Sequence, residues 1–275
     1  MSTQPAGNIV INIDGTALAG RATLNKTSLT FNDTNWFQLQ SVTVTAVQDL
    51  IDNDEFSGDV IFSVNLDQTD LAETKFRALG SKTETVTILR DDTDNAGFTL
   101  THAQPVVEIQ EGDDQAPGTG EISVVLTSPP ASGNVVINID GTALAGRAQL
   151  DKTSLTFNDT NWQDPQTVTI TAIPDDIDND PLELADVIFS VHDAGTADDK
   201  FKALNDKTVQ VTILDNDTAG FTLTPSADPL QIDEDGSGTI GVVLTSEPAN
   251  GNVVIDITTV GGIIGHVTLD KDRLT

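Results

Sequence analysis

The 275 residues carry 43 acidic and 13 basic side chains, a formal net charge of −30 and an isoelectric point near 4.1. That balance excludes nucleic acid and insertion into anionic membrane, both of which need basic patches. The absence of cysteine excludes a disulfide framework and a thiolate metal site, and leaves the redox compartment open.

From the N-terminus, the chain states one pattern and then repeats it. Residues 12–36 read NIDGTALAGRATLNKTSLTFNDTNW and residues 138–162 read NIDGTALAGRAQLDKTSLTFNDTNW, identical at 23 of 25 positions at an offset of 126. A weaker third copy opens at Asn252 (NVVIDITTVGGIIGHVTLDKDRLT). Ala-Gly-Phe-Thr-Leu recurs at 96–100 and 219–223, each time just after an acidic run of the kind that interrupts strands. On this frame residues 1–95 are the later part of one unit, 97–217 a complete unit and 220–275 the opening of another, a tandem array cut from something longer. A unit of about 120 residues is long enough to bury its own core. No signal peptide, lipidation motif or apolar run long enough to span a bilayer is visible.

Within the complete unit apolar and polar residues alternate with period two. Strands are predicted at 98–101 and 106–109 (a split first strand), 121–127, 134–139, 154–157, 167–173, 186–191 and 208–214, and nothing has a helical period. Seven or eight short strands separated by Gly, Pro, Asn and Asp turns predict an all-β fold, a tandem array of immunoglobulin-like antiparallel β-sandwiches.

The acidic residues cluster. Asp175, Asp176, Asp178, Asp180, Glu183 and Asp186 place six carboxylates in twelve positions with no base among them. Crowded carboxylates repel unless a cation neutralises them, and hard oxygen donors in loops suit Ca²⁺. The run is not an EF-hand, because Pro181 stands where the turn needs Gly and Val187 where the bidentate Glu belongs. A solvated acidic loop is the alternative reading. In a sandwich, however, the 175–180 loop and the second acidic segment, Asp215-Asn216-Asp217, can reach one tip.

In order, GFTL, the acidic turn at Glu111-Gly-Asp113, Asp-Gly-Thr-Ala-x-Ala-Gly (140–146), Leu-Thr-Phe with a downstream Trp, Thr-Val-Thr-Ile-Thr-Ala with its acidic loop, and Val-Thr-Ile-Leu-Asp-Asn-Asp resemble Calx-beta domains. The resemblance is nearest to the Calx-beta-like repeats of large bacterial secreted and surface, adhesin-like proteins. It implies Ca²⁺ at one tip, held by Glu111, Asp140, Asp175, Asp176, Asp180, Asp215 and Asp217, with Asp178 in the same loop. In the first copy it implies Asp14, Asp49, Asp52, Asp54, Asp91 and Asp92, and in the third Glu234.

Trp36 and Trp162 read as plugs over the sandwich edge, with stacking on a sugar ring as the alternative reading. His102, His192 and His266 fall at unrelated places and form no triad, and no glycine-rich phosphate loop follows a strand, so no enzymatic activity is expected. Three functions follow from these features. The first is a calcium-stiffened spacer in an extracellular or cell-surface adhesin, its partners being calcium, the neighbouring repeats and surface or matrix ligands reached through other domains. The second is a carbohydrate- or protein-binding module, and the third an enzyme using paired carboxylates.

Overall fold

The structure, a computed structural model, describes residues 4–90, 93–103, 105–261 and 267–275. It divides into two compact units. One comprises Met1–Gly97 with Leu126–Gly133 and Asn158–Gln163; the other comprises Phe98–Val125, Asn134–Phe157 and Asp164–Thr275.

The first unit contains β1 (Ile9–Asp14), β2 (Ala22–Leu24), β3 (Ser28–Phe31), β4 (Val44–Ala46), β5 (Phe56–Val64) and β6 (Lys82–Ile88). Four of these form an antiparallel sheet in the order β3-β1-β5-β6, and β2 pairs with β4. The period-two pattern puts Ile13, Leu29 and Val60 on the inner face, where they pack with Leu18 and Ala22.

The second unit begins with β7 (Phe98–Thr101), β8 (Val107–Gln110), the short β9 (Gly112–Asp113) and β10 (Ala116–Pro117), and β11 (Thr119–Leu126). It continues with β12 (Val135–Asp140), β13 (Ala148–Leu150), β14 (Ser154–Phe157), β15 (Gln166–Ala172), β16 (Leu182–Val191) and β17 (Lys207–Leu214). These strands make a sheet of order β13-β15-β11-β7 and another of order β14-β12-β16-β17-β8. Side chains from both sheets, among them Ile122, Val168, Ile137, Phe189 and Val211, are fully buried. This is the predicted all-β sandwich architecture, with strand ends within a few residues of those read from the sequence. Beyond β17 lie β18 (Phe221–Pro225) paired with β19 (Ile240–Leu244), and β20 (Ile255–Asp256) paired with β21 (Arg273–Leu274).

Three details position the candidate site. First, β8 joins β17 in parallel, Val107 opposite Val211 and Gln110 opposite Leu214, so both strands leave the sheet at the same end. Second, Gly118 lets the chain return across that end: a Cβ there would lie 1.6 Å from the Gln110 carbonyl oxygen, and its N–H instead donates to the Glu111 carbonyl at 2.9 Å. Third, the Asp-Gly-Thr-Ala-x-Ala-Gly segment closes as a 3₁₀ turn (Thr142–Leu144) followed by two left-handed residues, Ala145 (φ 51°) and Gly146 (φ 81°), which turn Arg147 back toward the strand ends.

Where the sequence shows no helical period, two single helical turns form, Thr74–Arg77 and Asp199–Lys202. In the second, the Asp198 carboxylate accepts the Lys200 N–H at 2.9 Å and Phe201 is buried in the core. One turn is too short to register in a periodicity.

Truncating a core ring should separate this packing from surface contacts. Phe189→Ala is expected to cost about 3–5 kcal/mol in urea unfolding, as for other buried aromatic truncations. The exposed Phe37→Ala should stay within about 0.5 kcal/mol of the parent.

Candidate metal centre

Glu111 follows β8 directly and is fully buried. Its N–H donates to the Leu214 carbonyl at 2.8 Å, which continues the parallel pairing and sets Glu111 beside Asp215. Glu111 Oε1 accepts the Asp175 N–H at 3.0 Å, bringing in the loop after β15. Carboxylate oxygens of Glu111, Asp215 and Asp217 all lie within 4.8 Å of one another. The Asp215 side chain is only 6 % exposed. Its Oδ1 and the Oδ2 of Asp217 are buried with no hydrogen-bond partner among the described residues.

The electrostatics follow from that crowding. Burial, and the hydrogen bond a protonated Glu111 donates to Asp215, push the Glu111 carboxyl up to about 7; the Asp175 N–H and Arg147 pull the other way. Asp217 is raised as well, first by loss of solvent and then by repulsion from Asp215, Asp176, Asp175 and Asp178.

The 175–180 loop is built on its own side chains. Asp175 Oδ1 accepts the Ile177 N–H at 2.8 Å and the Asn179 amide at 2.9 Å. Asp178 Oδ2 accepts the Ala219 N–H at 2.8 Å, and the Asp180 carbonyl accepts from Arg147 at 3.2 Å. With Asp113 and Asp114, the Asp175, Asp176 and Asp217 carboxylates rim an open acidic groove.

The remaining expected ligands lie outside the group of three. Asp140 is exposed and its Oδ1 accepts the Thr142 N–H at 2.8 Å, a bond that holds its carboxyl below the usual range. Asp14 does the same with Thr16. Asp49 closes its loop through Ile51 and Asn53. Asp52 accepts the Ala96 N–H at 2.9 Å and pairs with Arg90 at 3.2 Å, and Asp54 is exposed on the same loop. Glu234 lies in an exposed turn. Asp91 and Asp92 lie outside the described residues.

One participant escaped the sequence reading. Arg147 reaches Glu111 Oε2 at 3.4 Å and Asp215 Oδ1 at 3.6 Å. Its signal was present as the one basic residue between Asp113 and Asp151 in a strongly acidic unit. Trp36 is half-buried with its ring edge-on to Phe37, centroids 5.9 Å apart, and Trp162 is half-buried in the matching turn.

The donor set suits a calcium ion. It is all carboxylate and carbonyl oxygen, it includes buried oxygens with unspent lone pairs, and oxygens on opposite sides of an ion at 2.3–2.6 Å stand roughly 4.6–5.2 Å apart. Glu111, Asp215 and Asp217 would hold it, with the 175–180 loop closing over them.

The Calx-beta domain model matches residues 9–93 and 91–217. The chain belongs to the Calx-beta family. Calx-beta domains are a calcium-binding, non-enzymatic module family of β-sandwich fold, so a calcium-binding module is supported here. Among solved structures, similarity extends to CBD12 from CALX1.2 (16% identity over 70% of each chain, TM-score 0.25). It also extends to a protein of unknown function from Porphyromonas gingivalis W83 (10% identity over 77% of this chain and 86% of that one, TM-score 0.23). A third similar structure is the human desmocollin-1 ectodomain (15% identity, 88% and 46%, TM-score 0.22). A search of the curated proteins returns no significant match. No helix among the described residues is long and apolar enough to cross a membrane.

The raised Glu111 carboxyl sets a pH dependence. A buried acid that holds its proton more tightly when folded contributes stability below its unfolded value of 4.5 and loses it as pH rises through about 7. In chelator, melting temperature is therefore expected to fall between pH 5 and pH 8, and Glu111→Gln should flatten that slope. Parallel slopes for the two proteins would show that Glu111 titrates normally.

Proposed function

We propose that this chain is a calcium-binding extender of a large extracellular, adhesin-like protein, in which the ion completes each tip and stiffens the passage to the next repeat. The observation that carries the reading is the convergence of Glu111, Asp215 and Asp217, with buried oxygens lacking hydrogen-bond partners, at the strand ends nearest Ala219. Three like charges so placed are costly without a cation and stabilising with one.

The junction supports the mechanical half. The loop that rims the site also holds the segment beyond it: Asp178 accepts the Ala219 N–H, and the Asp176 carbonyl accepts the Glu247 N–H at 2.7 Å. Asp52 makes the matching bond to Ala96. An ion that orders the 175–180 loop therefore orders the start of the next repeat. On this reading the repeats run 1–95, 97–217 and 220–275, calcium and the neighbouring repeats are the direct partners, and ligands on a surface or matrix are met by other domains.

Calcium at about one hundred times its dissociation constant is expected to stabilise the chain by about 2.7 kcal/mol relative to chelator. Asp215→Asn with Asp217→Asn should remove most of that gain, while Asp159→Asn, in the turn at Trp162, should retain it. An unchanged melting curve in chelator and millimolar calcium would mean that the loop is simply solvated.

Small-angle scattering tests the stiffening. The maximum dimension should rise, or its distribution narrow, when calcium replaces chelator. Superimposable profiles with calcium bound would confine the ion's role to single domains.

A further inference from the structure

Arg147 sits among the acids in a way that neither turn chemistry nor core packing requires. Its side chain is 19 % exposed, one terminal nitrogen faces both Glu111 Oε2 (3.4 Å) and Asp215 Oδ1 (3.6 Å), and the other donates to the Asp180 carbonyl (3.2 Å). These contacts are longer than the 2.7–2.9 Å of a firm guanidinium–carboxylate fork. The Arg147 Nε is buried with no hydrogen-bond partner among the described residues. The cation is close enough to neutralise the pair and too loosely held to be locked there.

The preceding repeat shows where this arginine goes when a ring is offered. Arg21 follows the same Asp-Gly-Thr-Ala-Leu-Ala-Gly segment, and its guanidinium carbon lies 5.8 Å from the centroid of the Phe56 ring. Phe56 pairs with Ile88 across β5 and β6, as Leu182 pairs with Ile213 across β16 and β17, so Leu182 is its counterpart. The next register position after Leu89 is Arg90, where Leu214 is followed by Asp215. In the first repeat the arginine has an aromatic face; in the complete repeat the counterpart of that ring is a leucine, and the arginine faces the acids.

We infer that Arg147 is a resident counter-cation of the Glu111–Asp215 pair which calcium must displace, and that the residue at position 182 sets how readily it leaves. This rests on the calcium reading above. An ion within 2.6 Å of the Glu111 and Asp215 oxygens would stand at most about 6 Å from the Arg147 nitrogen, and two cations that close in a site largely shielded from water repel. The arginine thus keeps the ion-free site from flying apart and weakens the site for calcium.

The test is calcium titration calorimetry on the 275-residue chain, with melting in chelator as a second readout. Arg147→Gln is expected to lower the calcium dissociation constant by about ten- to a hundredfold, the range by which groups around metal ligands move affinity. The same variant should melt earlier than the parent in chelator, where Glu111 and Asp215 have lost their counter-cation. Leu182→Phe, which keeps the arginine and offers it a ring, should tighten calcium in the same direction. Unchanged or weaker binding in Arg147→Gln, with parent binding intact, would overturn the displacement. If that variant does not fold, unchanged binding in Leu182→Phe overturns it instead. Absence of calcium binding in the parent and both variants would sink the calcium reading and the displacement with it, whereas an unchanged chelator melt in Arg147→Gln would refute the counter-cation role alone.

Discussion

The constraint on which this molecule turns is the burial of carboxylates beside one another at one end of a sandwich. Glu111 is fully enclosed, and Asp215 nearly so. Such a group is tolerated only if its oxygens find donors or a cation. The fold supplies some of each: the Asp175 N–H for Glu111, the Asp217 N–H for Asp215 at 3.1 Å, and the Arg147 guanidinium between them. What it leaves without a hydrogen-bond donor among the described residues, the buried Oδ1 of Asp215 and Oδ2 of Asp217, suits a hard cation.

The topology that creates this burden is the parallel pairing of β8 with β17. The pairings of β11 with β15, β13 with β15, β12 with β14, β12 with β16 and β16 with β17 are antiparallel, which carries paired strands to opposite ends. The parallel pair brings the residues after both strands to the same end, so Glu111 and Asp215, 104 positions apart (215 − 111), become neighbours. Gly118 then returns the chain past Glu111, its N–H on the Glu111 carbonyl.

This explains which parts were legible beforehand. Period-two alternation marked the strands because each has one buried face, and the match in strands such as Phe98–Thr101 and Ser154–Phe157 is exact to the residue. The meeting of the 175–180 and 215–217 segments at one tip was also legible, since both follow strands that run the same way. The single helical turns were not, because each is only four residues long, and the second rests on one cap and one buried ring. Arg147 was not either: its place depends on the two left-handed residues before it, and backbone handedness at Ala145 leaves no periodic trace.

The duplicated segment makes the same point more sharply. Residues 12–36 and 138–162 are nearly the same peptide and fold alike, down to the left-handed Ala19 and Ala145 and the Asp14 and Asp140 turns. Yet among the described residues only the later copy stands beside a group of three converging acids. The ligands of that group come from outside the shared peptide, from the residue after β8 and the segment after β17, and in the latter the copies differ, Arg90 standing where the later copy has Asp215; in the strand before that segment, Phe56 stands where the later copy has Leu182. Near-identity of the scaffold segment therefore fixes the turn and the arginine that follows it, while the chemistry that arginine meets is decided by residues some seventy positions further on (215 − 147 = 68). Two repeats with one scaffold can in this way hold their charges differently, one through an arginine under a ring and an Arg90–Asp52 pair, the other through an arginine poised against a metal site.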